Sequence, residues 1–375
     1  MLTTSTTLQT YPDISSWECL LERQNSQKND ATTKVIVVGH QPVFFHPGIL
    51  AKFVAASELA QICDAKVVHL VVDHHIGDVG LIEVPKLQNR LLEVEKIRVA
   101  ACNDAISLCD QSPLNRVPNK FEFSQALKNN EPNAAMQVAA ATDELMLPYA
   151  EVHQRISATE LLQSSCGKEL LDRMFTNPES CRTAYNNAVL AFPNCGIPCL
   201  DRNELPLWHG PHNERVSTQR EDLRPRALLL TLLARTGLGD LFVHGTGGSN
   251  YDLVMEQWCR DWLGVEPCPQ VIATTTLNIS FTCDTVESLR KSYFSGGNDH
   301  TKRTFLEKIN TAPVGSAERQ VIYAEMHRWL ASCQEKPNYS KLRTSQRVAS
   351  RRDWAFPLYE ESQLLSLTKD LLVPR

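Results

Sequence analysis

The sequence predicts an α/β fold built on a Rossmann-like parallel sheet, with a helical insertion and a helical C-terminal segment. Three observations predict it. Val35-Ile36-Val37-Val38 is a short continuous apolar run, the pattern of a parallel strand buried on both faces. Ile49, Phe53, Ala56, Ala60 and Cys63 then recur at helical spacing. A second apolar run, Val67 to Val72, ends at Asp73, so strand, helix and strand follow one another as a βαβ unit.

The remaining elements follow from the same signals. Residues 1–33 are mostly polar, and Gln24 to Asp30 carry no apolar period, so they read as a lead-in and a linker. The core is expected over 34–283. Within it, 121–175 lacks a strong β signal and reads as two or three helices inserted between sheet strands. Pro193 to Pro211 is loop-rich. Ala227 to Arg235 reads as a helix, Leu241 to Val243 as a strand and Tyr251 to Leu263 as a second helix, repeating the α/β alternation. Val271 to Phe281, rich in β-branched residues, reads as another strand. Residues 284–375 read as helical.

Composition narrows the function classes. With 375 residues, 42% of them hydrophobic and 22% charged, the chain can bury a substantial core. Its 38 basic residues face 43 acidic ones, and a formal charge of −5 provides no global field for nucleic acid or an anionic membrane. The expected partner is a small molecule; oligomeric state is not indicated. Met1 to Tyr11 lacks the basic start and apolar core of a secretory signal. No run approaches the ~18 apolar residues of a membrane span, so a cytoplasmic location is expected. The 12 cysteines form no CxxC pair and suit buried reduced thiols.

Three polar constellations fall where open α/β sheets bind ligands, at strand carboxyl ends. The first is the turn Gly39-His40-Gln41-Pro42-Val43-Phe44-Phe45-His46-Pro47-Gly48. Backbone N–H groups at the start of its helix attract anions, and His40 and His46 can donate hydrogen bonds or move protons. The second is Asp73-His74-His75-Ile76-Gly77-Asp78. Adjacent residues of an extended chain point to opposite sides, which disfavours one metal shared by His74 and His75 and favours substrate contacts by Asp73 and one histidine. The third is His244-Gly245-Thr246-Gly247-Gly248-Ser249-Asn250-Tyr251-Asp252, whose glycines permit close backbone approach to a phosphate or carboxylate. Cys195, Cys199, His209 and His212 approach a zinc-finger spacing, but both later intervals are short and no metal site is expected. Arg215, Arg220, Arg224 and Arg226 precede the Ala227 helix and offer an anion clamp, with a solvated face the equal alternative for most of them. A second basic run, Lys336 to Arg352, lies near Trp354 and reads as a helical, solvated face.

His46-Pro47-Gly48 resembles the HxGH signature of nucleotidylyltransferases and class I tRNA synthetases, with Ile49 in place of the second histidine. Together, the first turn, the Asp73-His74-His75 strand end and the segment from Leu223-Arg224-Pro225-Arg226 through Tyr251 resemble the cysteine-adding enzyme of bacillithiol biosynthesis. The matching positions are Gly39, Gln41, Asp73, His74, Gly245, Gly247 and Tyr251, over about two thirds of the chain. His40 stands where that family usually has a second glutamine, and the chain is short for the family's long C-terminal coiled coil. The resemblance implies a nucleotidylyltransferase-like core, a ligase or transferase that joins a small carboxylate to an amine.

The combined expectation is an enzyme with His40, His46, Asp73 and His74 in catalysis, His244 facing the same pocket, and Gly39, Gln41, Gly48, Gly245, Gly247, Gly248, Tyr251 and Arg226 in substrate binding. A nucleotide is the cofactor this arrangement admits. Adenylyl transfer and a non-catalytic small-molecule-binding protein are the alternatives.

Overall fold

The computed structural model describes residues 8–25, 33–119, 121–218, 220–283, 300–333 and 339–369. Their contacts form two compact units. The first takes its residues from 1–83, 96–277 and 352–375, and the second from 84–95 and 278–351.

The first unit is organised by one sheet. Its strands are β1 (Gln9–Tyr11), β2 (Val35–His40), β3 (Lys66–Val71), β6 (Gln154–Ser157), β10 (Leu241–His244) and β11 (Gln270–Thr274). They lie in the order β1-β11-β10-β2-β3-β6, with β1 antiparallel to β11 and all other pairs parallel. Counted along the chain, the five parallel strands run 3-2-1-4-5 across the sheet. That is the Rossmann order, and the strand direction of travel reverses between β2 and β10. The carboxyl ends of these two strands, at His40 and His244, therefore flank the crevice where this fold receives ligands.

Helices cover both faces because alternate strand residues are apolar on each side. On one face Val37, Leu70 and Phe242 enter a large core with α5 (Ala158–Gln163), α6 (Ser165–Thr176), α7 (Pro178–Ala191), α8 (Ala227–Leu233) and α9 (Ser249–Leu263). On the other lie α2 (Pro47–Cys63), against β2, β3, β10 and β11, and α4 (Ala134–Met146), whose Met136 and Ala139 pack on Val71. α2 starts at His46, whose Nδ1 accepts the Gly48 N–H, with Pro47 in the first turn. It ends at Asp64 in the left-handed conformation. A small antiparallel sheet, β7 (Leu205–His209) between β8 (Glu214–Val216) and β9 (Leu223–Pro225), precedes α8.

In the second unit, β4 (Leu81–Gln88) and β5 (Leu91–Arg98) contribute the tip of a hairpin, where Asn89 and Arg90 both take positive φ as a two-residue hairpin turn requires. Helices His300–Thr311 and Ala317–Cys333 close a core of Ile309, Met326 and Leu330, and the Leu92 N–H donates to Ser345 Oγ of helix Tyr339–Ala349 over 2.8 Å.

This architecture differs from the sequence reading in several places. The N-terminal lead-in carries a sheet strand, β1, and α1 (Trp17–Asn25), anchored by buried Trp17 and Leu21. The expected helical insertion contains β6, the third strand of the parallel set; four residues with three polar ones give too little apolar pattern to read. The strand expected over Val271 to Phe281 ends at Thr274. The C-terminal stretch is not one segment, since 352–375 groups with the sheet and 278–351 does not. Residues 284–299 and Lys336 lie outside the described residues.

Candidate functional site at the strand crossover

The first βα turn folds back on the sheet. Phe45 stacks on Phe53 of α2 at 5.5 Å between ring centroids and meets the His40 ring edge-on at 5.4 Å. From the C-terminal stretch, Phe356 packs on Phe45 and donates its N–H to the Phe45 carbonyl over 2.8 Å. Helix Glu361–Lys369 packs against α2 behind it.

Beneath this aromatic cover lies a set of basic groups. Lys52 is 3% exposed, and its Nζ donates to the Gly39 carbonyl at the end of β2 over 2.7 Å. Burial holds its ammonium down to about 7. His40 is held down to about 2, first by the protein packed around its ring and then by the charges of Lys52, His69, His46 and His75. His46 and His75 are also lowered, mainly by burial; Lys52 and His74, respectively, push further down, and Asp353 partly restores His46. Each charge that forms here opposes the next. A bound anion reverses that repulsion, so the electrostatics fit an anionic ligand.

His69, behind this set, is oriented by a carboxylate. Its Nδ1 lies 2.8 Å from Asp143 Oδ1, and Asp143 is held by Arg155, which also pairs with Glu131. The His69 ring stands edge-on to Phe53, and its Nε2 is buried without a partner.

The second strand end is built differently. Asp73 is 2% exposed, and its Oδ1 accepts the Thr159 N–H in the first turn of α5. His74 is buried, its Nδ1 3.6 Å from Asp73 and without a hydrogen bond. The His74 carbonyl accepts from Asn213 and from Ser107, both of which meet Arg224. Arg224 is 4% exposed and pairs with both oxygens of Asp110 at 2.7 Å. This network locks the chain after β3 and leaves His75, on the next residue, to interact with His40.

At β10, His244 Nε2 lies 3.1 Å from Asp252 Oδ2, and its ring meets Tyr251 edge-on. Burial and Asp252 push the Tyr251 hydroxyl up to about 12. The position a Gly245 side chain would occupy is 3.8 Å from Lys52 Cδ, which brings this turn beside the first.

The sequence-expected residues thus fall into separate groups. His40 and His46 gather with His69, His75 and Lys52; Asp73 and His74 sit behind the second strand end; His244 packs against Tyr251 and Asp252 of α9. Gly48 is demanded sterically, because a Cβ there meets the His46 ring and lies 3.1 Å from the Thr275 carbonyl. Gly39, Gly245 and Gly247 have room for a Cβ, and Gly248 does not. Gln41 is exposed. Arg226 pairs with Glu204 and covers the Trp208 ring at 4.5 Å, so its charge is committed within the small sheet. His209 faces Glu214 and His212 the Ala105 carbonyl, and among the described residues no three metal-binding side chains converge.

Sequence reasoning passed over Lys52, His69 and Asp353. Lys52 left a legible trace, a lysine three residues after Ile49 on the apolar stripe of α2. Asp353 left none, because only tertiary folding returns the chain end to the first turn.

No family profile and no curated protein matches the sequence. Among solved structures, the chain is similar to a tyrosyl-tRNA synthetase from Archaeoglobus fulgidus complexed with L-tyrosine, at 13% identity and a TM-score of 0.32, covering 96% of this chain and 99% of that one. It is also similar to the tryptophanyl-tRNA synthetases of Plasmodium falciparum (10% identity, TM-score 0.29, covering 94% and 84%) and Trypanosoma brucei (10%, 0.32, covering 95% and 84%). Overlaps this loose transmit no activity, and the evidence for a Rossmann-like fold is the strand order itself.

Proposed function

We propose that the chain is an enzyme that seats an anionic small molecule or nucleotide at the β2–β10 crossover and joins a carboxylate to an amine, as the cysteine-adding enzymes of bacillithiol biosynthesis do. The observation that carries this reading is the convergence of His40, His46, His75 and Lys52, all held below their ordinary pKa, at the carboxyl edge where the strand order reverses. In this reading Lys52 and His46 receive the anion. His40, neutral at physiological pH, donates or accepts a hydrogen bond without adding charge, and the Gly245 turn closes the crevice from the other side. Asp73 and His74 serve as support, since Asp73 is spent on the Thr159 N–H.

Adenylyl transfer is the second reading. It is favoured by His46-Pro47-Gly48 at the start of α2, with Gly48 pressed against the His46 ring as a histidine-glycine pair at a helix N-terminus requires.

A thermal-shift screen of nucleotides, amino acids and amino-sugar conjugates tests both. Amide synthesis requires a condensed product only when carboxylate, amine and nucleotide are all supplied. Adenylyl transfer requires exchange of pyrophosphate into ATP with the carboxylate alone. A screen with no stabilising anion, and no product in either assay, removes the enzyme reading.

A further inference from the structure

The side chains beyond the Gly245 turn form a continuous chain, buried from Arg235 inward, that the foregoing reading does not use. Glu256 Oε1 lies 2.7 Å from Arg235, Arg235 lies 3.5 Å from Asp252 Oδ2, and the same Asp252 oxygen lies 3.1 Å from His244 Nε2. The Arg235 side chain is 2% exposed and that of Asp252 is fully buried. Arg235 is tied to the sheet by its Nε–H, which donates to the Cys268 carbonyl ahead of β11 over 2.8 Å. It stands in a π-helical stretch, Ala234–Leu238, that follows α8, a form found mostly as single-turn bulges and frequent at functional sites.

The opposite side of the His244 ring is also determined. A Cβ at Gly248 would overlap Nδ1 and then Cε1 of His244, so the Nδ1 edge faces the backbone of the Gly245–Gly248 turn. Phe242 and Tyr251 hold the two remaining sides, at 4.7 and 5.7 Å between centroids. The ring therefore has one edge on a buried carboxylate and the other on the glycine turn. Among the described residues, Asp252 Oδ1 and His244 Nε2 are both buried without a hydrogen bond, so the 3.1 Å approach of Nε2 to Oδ2 is an ion-pair contact, and the groups set against this carboxylate are Arg235 and the imidazole.

We infer that Asp252, anchored by Arg235, is a positioning residue that holds His244 with its proton on Nε2 and leaves Nδ1, on the side of the Gly245–Gly248 turn, as the proton acceptor. Rotation of the ring would bring the other edge against a carboxylate that cannot donate, leaving two acceptors face to face. This rests on the proposed amide-forming site, where the carboxylate is first activated by the nucleoside triphosphate as a mixed phosphate anhydride: the amine nitrogen bonds to the carboxyl carbon, the C–O bond to the phosphate breaks with the phosphate group leaving with its electron pair, and the nitrogen gives up a proton. That proton passes to Nδ1, and the resulting imidazolium stands beside Asp252.

The test begins with the tautomer, which needs no substrate. In histidine-labelled full-length protein, long-range proton–nitrogen correlations on the alkaline side report which ring nitrogen bears hydrogen, with the His244 signal identified by its loss in His244→Gln. The expected result is protonated Nε2 and bare Nδ1. Asp252→Asn, which keeps the shape, and Gly248→Ala, which crowds the Nδ1 edge, are each expected to disturb that signal. A wild-type ring protonated on Nδ1 overturns the inference even if neither variant folds, as does a signal indifferent to Asp252→Asn. Once turnover is established, Asp252→Asn lowers kcat by about 10-fold to 100-fold with KM nearly unchanged; a loss confined to KM counts against it. A correct tautomer in a protein that binds no anion would leave the positioning intact and remove the proposed function.

Discussion

Two side chains at the crossover contribute a defined pH dependence to stability. Lys52 is lowered from 10.5 to about 7, so between those values the unfolded chain binds a proton that the folded one does not. Stability then rises with pH across that window, by up to ~1.4 kcal/mol per unit, and the full penalty remains below it. Lys52→Met is accordingly expected to stabilise the protein most at neutral pH, with the gain shrinking toward pH 10, as urea midpoints measured across the range will report. His40, lowered from 6.5 to about 2, acts on the acid side with the same sign: stability falls as pH drops below 6.5, and His40→Gln should flatten that slope. The same lysine ties binding to protons. An anion that draws Lys52 into its ammonium form should bind up to about tenfold more weakly for each unit above pH 7, a dependence lost in Lys52→Met. A titration with inorganic phosphate or a nucleotide at three pH values measures it, and a flat profile in the wild type excludes Lys52 from the anion site.

α2 makes its own predictions, because its two ends are capped by different devices. His46 accepts the Gly48 N–H at the start, so His46→Ala should cost about 1 kcal/mol of stability while His46→Asn keeps the cap. If His46 also contacts the anion, the asparagine variant retains stability and loses affinity, which separates the two roles. At the other end exposed Asp64 sits at φ 50°, where a side chain is disfavoured, and Asp64→Gly should raise stability by roughly 0.5–1 kcal/mol, read as a higher denaturation midpoint. Elements like α2 were legible because a long apolar stripe and a Pro-Gly start coincide in one stretch. β2, β3 and β10 were legible for the related reason that strands buried on both faces are mostly apolar, with His69 the one polar residue inside β3. β6 was not, since Gln154-Arg155-Ile156-Ser157 is placed by pairing with β3 rather than by its own composition. Lys52 marks the boundary between the two cases: its residue type at that position was a signal, but its partner, the Gly39 carbonyl, exists only once strand and helix have packed.

At the scale of the molecule, the first unit is completed by the last described stretch of chain. Phe356, 1% exposed, packs on Phe45, and Leu364 and Leu367 are buried with Trp354. Phe356→Ala should therefore cost ~3–5 kcal/mol and loosen the aromatic cover over the histidines, which chemical denaturation and anion affinity will register together. The two-unit division was hidden in the sequence because both units are discontinuous: residues 84–95 leave the first at a hairpin, and 352–375 return to it. Local pattern records which residues are helical, whereas membership of a unit depends on contacts between residues far apart in number. β1, met first as an unremarkable polar stretch, has a further effect on how the sheet terminates. It spans three residues, Gln9–Tyr11, and runs against the grain of its neighbour, while β6 on the far side spans four. A strand this short offers an incoming chain few ladder positions, so both margins of the sheet are poor templates for growth by strand addition. Deleting the first eleven residues should uncover the five-residue β11 and convert a blunt margin into an adhesive one, with light scattering of the shortened chain rising with concentration.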